Sequence, residues 1–202
     1  MNIVRYEESR GLSIRDLITT GIFSALFAVV TMIGGVFFAS NPVLTYWLPP
    51  AVALLTGPIF LMLVAKVPKR GSVLILGILM GIIMFVTGMY WMWSIAYAVF
   101  AIMSEIVMGV GKFKNMKLNI LGYIVFSLNP LVTYSMMWIN QKEYVSYLIS
   151  KGREQAYMDT MIRAAQGWIL PAIIISTIVL AFISGVIGKS LLKKQFEKAG
   201  II

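Results

Sequence analysis

The sequence of 202 residues is 59% hydrophobic and only 12% charged, with a formal net charge of +9. Because about a quarter of the residues in a soluble domain are charged, this composition excludes an ordinary soluble protein and indicates an integral membrane protein. The sequence contains no Cys and no His, which excludes disulfides, thiolate nucleophiles, imidazole bases and the common zinc motifs. We therefore expect no metal site and none of the usual membrane hydrolase mechanisms.

Six apolar runs are long enough to cross about 30 Å of hydrocarbon, and they predict an all-α membrane protein with six transmembrane helices. The runs cover residues 14–38, 43–65, 72–87, 91–110, 118–139 and 168–192. At the first run, Ser13 and Asp16 are spaced as an N-cap pair, and the run is too long and too late in the chain for a cleaved signal peptide. We expect a single domain over residues 1–202.

The second run contains helix-disturbing residues, with Pro49 and Pro50 at its start and the pair Gly57 and Pro58 in its middle. A proline removes a backbone donor and frees a carbonyl, which a membrane tolerates only where another group satisfies it. Such a break is either a simple kink or the wall of a cavity.

The fourth run carries Glu105, essentially the one ionisable group inside a predicted span. An intramembrane carboxyl is costly and is by default a functional candidate. Three roles stay open for it: a structural carboxyl bonded to a neighbouring span, a substrate contact, or a proton carrier.

The fifth run is broken by Asn129 and Pro130, and the segment after it, residues 140–167, is the one long connection. Apolar residues at helical spacing on either side of Gly152 predict two short amphipathic helices at the outer surface. These residues are Tyr144, Tyr147, Leu148, Tyr157, Met161 and Ala165. The segment is either a solvated linker or a lid over an outward-facing pocket.

The sixth run ends in Gly188, Lys189 and Ser190, which match the end of a P-loop. The pattern also needs a glycine where Ile183 stands, and it follows a strand instead of closing an apolar helix. We therefore expect no nucleotide site in this chain.

The basic residues predict one orientation in the membrane. If the chain crosses six times, 13 of its 17 basic residues fall on one side, and the positive-inside rule places that side and both termini in the cytoplasm. The excess of basic residues is then an orientation signal, and we do not expect nucleic acid binding. The 13 are Arg5, Arg10, Arg15, Lys66, Lys69, Arg70, Lys112, Lys114, Lys117, Lys189, Lys193, Lys194 and Lys198.

Aromatic residues cluster at the predicted outer ends of the spans, and all five tryptophans, Trp93 included, are among them, together with Tyr46 and Tyr134. An interfacial belt explains part of this cluster, but belts normally occupy both interfaces. The asymmetry favours an outer pocket for a small aromatic or heterocyclic ligand. The residues that we predict to bind substrate are Trp47, Tyr90, Trp91, Tyr97, Asn129, Thr133, Trp138 and Trp168.

The first span, IRDLITTGIFSALFAVV, the uncharged aromatic first loop, FVTGMYW at the third outer turn and the long loop before the last span carry a family resemblance. Over almost its whole length the chain resembles the substrate-binding S component of energy-coupling factor (ECF) transporters, more narrowly the Trep_Strep or MptS-like group. S components dock on a transmembrane T subunit through an AxxxA-type face of their first helix. Here small residues stand at the same spacing without a literal AxxxA, and the resemblance implies that the partner interface comprises Gly21, Ser24, Ala25 and Ala28.

The resemblance implies a substrate-binding domain in a bacterial cell membrane that takes up a vitamin or its precursor without chemical change. Its partners would be the T subunit and two cytoplasmic ATPases, which would use ATP while this chain binds no cofactor. A thiamine precursor such as hydroxymethylpyrimidine is the narrower expectation. Two other classes stay open: a small proton-coupled transporter or exporter using Glu105 and, less expected without His, Cys or paired carboxylates, a membrane enzyme.

Overall fold

A computed structural model describes residues 11–198, and the side chains of residues 11–193. In this part of the chain every regular element is helical, which confirms the all-α prediction. A 3-10 turn, Leu44–Trp47, precedes the second helix. The α-helices are α1 Ile14–Ala39, α2 Leu48–Lys66, α3 Ser72–Val86, α4 Trp91–Val110, α5 Met116–Ser127, α6 Asn129–Ile139, α7 Gln141–Ser150, α8 Gln155–Ala164 and α9 Ile169–Lys198.

Five of the described helical stretches are long and apolar enough to span a membrane. They are α1, α2 with its preceding turn, α4, α5 and α6 taken together, and α9. The predicted third span, α3, has only 15 residues, which rise about 22 Å at 1.5 Å per residue. The structure thus confirms a multispanning protein, whereas the sixth crossing and the cytoplasmic location of both termini stay predictions.

The two ends of the helical bundle differ in charge. At one end Lys69 forms a salt bridge with Asp16 of α1, with 2.9 Å between Nζ and Oδ2. At the other end the Tyr157 hydroxyl of α8 donates to the Ala39 carbonyl, where α1 finishes. We name the first of these the basic end because most described basic residues lie there: Arg15, Lys66, Lys69, Arg70, Lys112, Lys114 and Lys117. Arg5 and Arg10, and the side chains of Lys194 and Lys198, lie outside the described residues.

The start of α1 has the predicted N-cap. The Asp16 backbone N–H donates to Ser13 Oγ at 3.2 Å, and the Ser13 backbone N–H donates to the Asp16 carboxylate at 2.8 Å. This reciprocal arrangement is a capping box, which satisfies two backbone donors that the first helical turn leaves free.

The break in α2 is satisfied by α9. Pro58 has no N–H to donate to the Leu54 carbonyl, and the Ser184 hydroxyl donates to that carbonyl instead, at 2.6 Å. The Gly57 backbone N–H in turn donates to Ser184 Oγ at 3.1 Å. A side chain on Gly57 would collide with the same hydroxyl. The disturbed stretch of α2 is therefore a packing site for α9 and not an open wall.

Two glycines allow α3 to approach α4 closely. A Cβ on Gly77 would lie 2.5 Å from the Ala101 Cβ, and one on Gly81 would lie 2.7 Å from the Ser94 carbonyl oxygen. Glycines four residues apart form one helix face, and the absence of side chains there brings the two backbones into contact. These contacts hold α3 along α4.

Candidate functional site

A cavity of about 470 Å³ lies at the end of the bundle opposite the basic end. Its walls come from the second half of α1, the turn before α2 and the start of α2, the end of α3, the start of α4, the middle of α6 and the α7–α8 segment. The lining residues are Thr31, Met32, Gly35, Val36, Ala39, Ser40, Thr45, Leu48, Met84, Thr87, Met89, Tyr90, Trp93, Thr133, Tyr134, Tyr144, Leu148, Arg153, Tyr157 and Met161. This volume is in the range of small-molecule sites, about 300–1,000 Å³.

Aromatic rings form much of the cavity wall. The rings of Trp93 and Tyr134 meet edge to face, with 6.3 Å between centroids. The rings of Tyr90 and Tyr144 do the same at 5.2 Å. Flat, rigid walls of this kind suit a flat ligand, which gains area and ring-to-ring contacts at little cost in side-chain entropy.

Asn129 connects the break between α5 and α6 to this wall. Pro130 cannot donate to the Phe126 carbonyl, and Asn129 Nδ2 donates to it at 2.7 Å. The Trp93 indole N–H donates to Asn129 Oδ1 at 2.8 Å. Asn129 thus satisfies the carbonyl that the proline frees, as a proline inside a membrane requires, and it holds an indole that faces the cavity.

The segment after α6 forms the two predicted helices, α7 and α8, and both line the cavity. Hydrogen bonds tie them to the spans around it. The Tyr46 hydroxyl donates to the Met161 carbonyl of α8 at 3.0 Å, and the Tyr90 hydroxyl donates to Glu143 of α7 at 3.0 Å. With the bond from Tyr157 to α1, these contacts attach the segment on three sides.

Most polar side chains that line the cavity are already hydrogen-bonded within the protein, among them Thr45, Tyr90 and Trp93. The hydroxyls of Thr31 and Thr133 are buried and have no hydrogen-bond partner among the described residues. Burial raises the pKa of the Tyr144 phenol well above its usual value, so this group remains a neutral donor. Arg153 brings a positive charge. A buried hydroxyl without a partner is costly.

The predicted substrate-binding residues divide into three groups. Tyr90 and Thr133 line the cavity. Tyr97 and Asn129 are buried beneath it, beside a much smaller void. The remaining four are outside the lining: Trp47, Trp91, Trp138 and Trp168. Trp91 is 39% and Trp168 56% exposed, while Trp138 packs against the Tyr46 ring.

Several lining residues were missed by the predicted set. Trp93 and Tyr134 belong to the outer aromatic cluster, so their residue type carried a signal. Nothing in the sequence marks Gly35 or Arg153 as a binding residue. Glycines are common in apolar helices and arginines in charged segments, and only the fold brings these two to one cavity. The one local signal for Arg153 is its position directly after Gly152, the glycine that we expected to separate the two short helices.

Glu105 lies at the basic end, away from the cavity. Its carboxylate accepts hydrogen bonds from the backbone N–H groups of Gly71, Val73 and Leu74, at 2.8 to 3.0 Å. Gly71 is the N-cap of α3 and has no side chain to cap it. The carboxylate therefore takes the place of a capping side chain, where the helix dipole also favours negative charge. This geometry supports the structural role among the three considered.

The small residues of α1 are divided between two environments. Ser24 and Ala28 are buried in the bundle, 4% and 6% exposed. Ala25 is exposed, and Gly21 is half-buried with open space beside it. Of the predicted partner interface, only Gly21 and Ala25 are available to another helix without rearrangement.

The membrane-spanning helices, with a cavity that two short helices help to line at one end, define a multispanning membrane protein. A family described as a hypothetical bacterial integral membrane protein, Trep_Strep, matches residues 14–198, and the chain belongs to this family. No match was found among curated proteins or among solved structures. The protein is therefore located in a bacterial membrane.

Proposed function

We propose that this chain is the membrane-embedded substrate-binding S subunit of an ATP-driven ECF importer. The observation that carries the proposal is the cavity of about 470 Å³ at the end opposite the basic residues. If the basic end faces the cytoplasm, as the positive-inside rule requires, the cavity faces outward. A binding subunit that captures its substrate from outside needs a site in that position.

The chain would supply binding and shape, and its partners would supply energy. In this proposal the cavity captures a vitamin or vitamin precursor between its ring walls and the α7–α8 segment, which acts as the lid. The subunit then reorients on a T subunit and releases the substrate inward while two cytoplasmic ATPases hydrolyse ATP. The chain itself performs no chemical step and needs no cofactor. Hydroxymethylpyrimidine, a flat thiamine precursor, is the narrower candidate that the family resemblance gives.

A proton-coupled transporter or exporter is the alternative function, and the position of Glu105 disfavours it. A proton carrier must exchange its proton during each cycle, yet this carboxylate accepts backbone hydrogen bonds at the start of α3. Protonation would weaken all of these bonds. Transport by the purified chain alone, driven by a proton gradient, would favour the alternative over the proposal.

Filling the cavity tests whether it is the substrate site. Gly35 lines the cavity, and no atom lies within 4 Å of a Cβ built there. Gly35→Leu should therefore place four carbons in the cavity without disturbing the fold. We expect it to abolish the rise in melting temperature that a bound vitamin or precursor gives the wild-type protein, because ligand stabilisation follows from binding to the native state.

Gly21→Leu is the matched control. Gly21 belongs to the same helix, also has open space at its Cβ, and does not line the cavity. This variant should keep the ligand-induced stabilisation. If Gly35→Leu binds the ligand as tightly as Gly21→Leu does, the substrate site lies elsewhere and the proposal loses its main support.

A further inference from the structure

Arg153 is the one charged side chain among the described residues that line the cavity. Its guanidinium carbon lies 5.1 Å from the centre of the Tyr157 ring. No described carboxylate forms a salt bridge with it. An arginine stacked on an aromatic ring keeps its N–H groups free for a carboxylate or phosphate, which it can bind through two parallel hydrogen bonds.

Backbone hydrogen bonds at the end of α7 fix the position of Arg153. At the end of α7, Gly152 has a positive φ of 95°, its N–H donates to the Ile149 carbonyl, and the Arg153 N–H donates to the Leu148 carbonyl. These two bonds and the left-handed glycine constitute a Schellman motif. Together with the anchored Tyr157 ring, the motif holds the arginine at the cavity before any ligand arrives.

None of the described acidic residues of the same segment forms a salt bridge with Arg153. Glu143 accepts hydrogen bonds from Tyr90 and from Asn140. Asp159 accepts one from Gln155. The exposed Glu154 forms no salt bridge with its neighbour in sequence. The positive charge at the cavity is thus left without an anion from this part of the chain, and a charge beside apolar walls is stabilised by acquiring one.

We propose that the substrate is a flat ring compound carrying an acidic group, carboxylate or phosphate, and that Arg153 recognises the acid. The ring lies between the aromatic walls. This inference rests on the proposed function, because it takes the cavity to be the substrate site. The inference also distinguishes between two candidate substrates, because hydroxymethylpyrimidine has no acidic group, whereas its phosphate ester has one.

Pairs of ligands that share a ring and differ in charge test the proposal. One pair is nicotinamide and nicotinate, which adds a carboxylate; the other is hydroxymethylpyrimidine and its phosphate ester. Dissociation constants for the full chain in detergent are measured by calorimetry. We expect the acidic member of at least one pair to bind about 10-fold to 100-fold more tightly, the range for a hydrogen bond to a charged group. The pair that shows this preference identifies the acid as carboxylate or phosphate.

Three variants assign the preference to Arg153. Arg153→Gln should remove it, and Arg153→Lys should retain it at reduced size because a point charge replaces the planar fork. Arg163→Gln is the control, since Arg163 is exposed on α8 outside the cavity lining, and it should behave as the wild type. Should the Gln variant fail to fold, the reduction in the Lys variant decides the question.

Wild-type protein that binds the neutral member of each pair as tightly as the acidic one overturns the inference, as does a preference undiminished in both Arg153 variants. Absence of binding by every acidic member overturns it too. None of these results decides whether the chain is an S subunit, which is tested separately by its copurification with a T subunit and ATPases.

Discussion

At three places where the described helices depart from regularity, a single polar side chain satisfies the backbone. Ser184 bonds the carbonyl that Pro58 frees, Asn129 bonds the one that Pro130 frees, and Glu105 caps the uncapped start of α3. The sequence could predict that the two prolines need such partners, because a bilayer offers no water to replace them. It could not predict Ser184, which lies 127 residues from Gly57 and looks like any serine in an apolar helix.

Replacing Glu105 distinguishes a capping carboxylate from a proton carrier. Glu105→Ala should lower the free energy of unfolding by about 2 kcal/mol, because three backbone N–H groups lose an ionised acceptor. Glu105→Gln should lose less, since its amide oxygen still accepts. Denaturation of the purified variants in detergent measures both effects.

Uptake measured with the same two variants shows whether Glu105 takes part in transport. The Gln variant should still import substrate in the complete ATPase-containing complex, because titration of this group has no part in the proposed cycle. Proton-driven uptake by the isolated wild-type chain, lost in Glu105→Gln, would contradict the structural role and support the exporter.

At the scale of elements, the sequence predicted most helices but not which faces meet. The capping box of α1 and the two helices α7 and α8 followed from local spacing, which depends on near neighbours only. Small residues four apart occur in both α1 and α3, and the spacing is the same for Gly21 with Ala25 as for Gly77 with Gly81. Only the fold shows that the α3 pair packs inside the bundle while Ala25 of α1 is exposed.

The α3 glycines should be sensitive to a single methyl group. Gly81→Ala would place its Cβ 2.7 Å from the Ser94 carbonyl oxygen, so α3 must move away from α4, at a cost of about 1–3 kcal/mol. Gly21→Ala meets no atom within 4 Å and should instead gain about 0.5–1 kcal/mol from helix propensity. Melting temperatures of the two variants in the same detergent should shift in opposite directions. Equal shifts would mean that α3 and α4 are not in close contact.

At the scale of the whole molecule, the one-sided aromatic pattern predicted a pocket at the end opposite most basic residues, and the structure has a cavity there, but only Tyr90 and Thr133 of the eight predicted residues line it. Trp91 and Trp93 are both at the predicted outer end, yet two residues along a helix turn the side chain by about 200°. Trp93 therefore faces the cavity, while Trp91 is 39% exposed. Arg153 could not be found this way, because it reaches the cavity only through the packing of the α7–α8 segment on distant spans.

Ala25, one of the residues of the predicted partner interface, leads to a prediction about assembly. Ala25 is exposed, and a leucine there fits without strain but holds any partner helix away, which forfeits the dispersion contacts that drive association in lipid. Ala25→Leu should therefore keep full substrate affinity and lose copurification with the T subunit and ATP-driven uptake. Ala28 is 6% exposed, so Ala28→Leu should destabilise the fold instead.

Val99→Leu provides the control for this assembly test, because Val99 is an exposed residue of α4 and the change adds one carbon to a different outer face. It should leave substrate affinity, copurification and uptake as they are in the wild type. Were Ala25→Leu to copurify normally while Val99→Leu did not, the docking face would lie on α4. If Ala25→Leu lost substrate affinity, Ala25 would belong to the binding site and not to the partner interface.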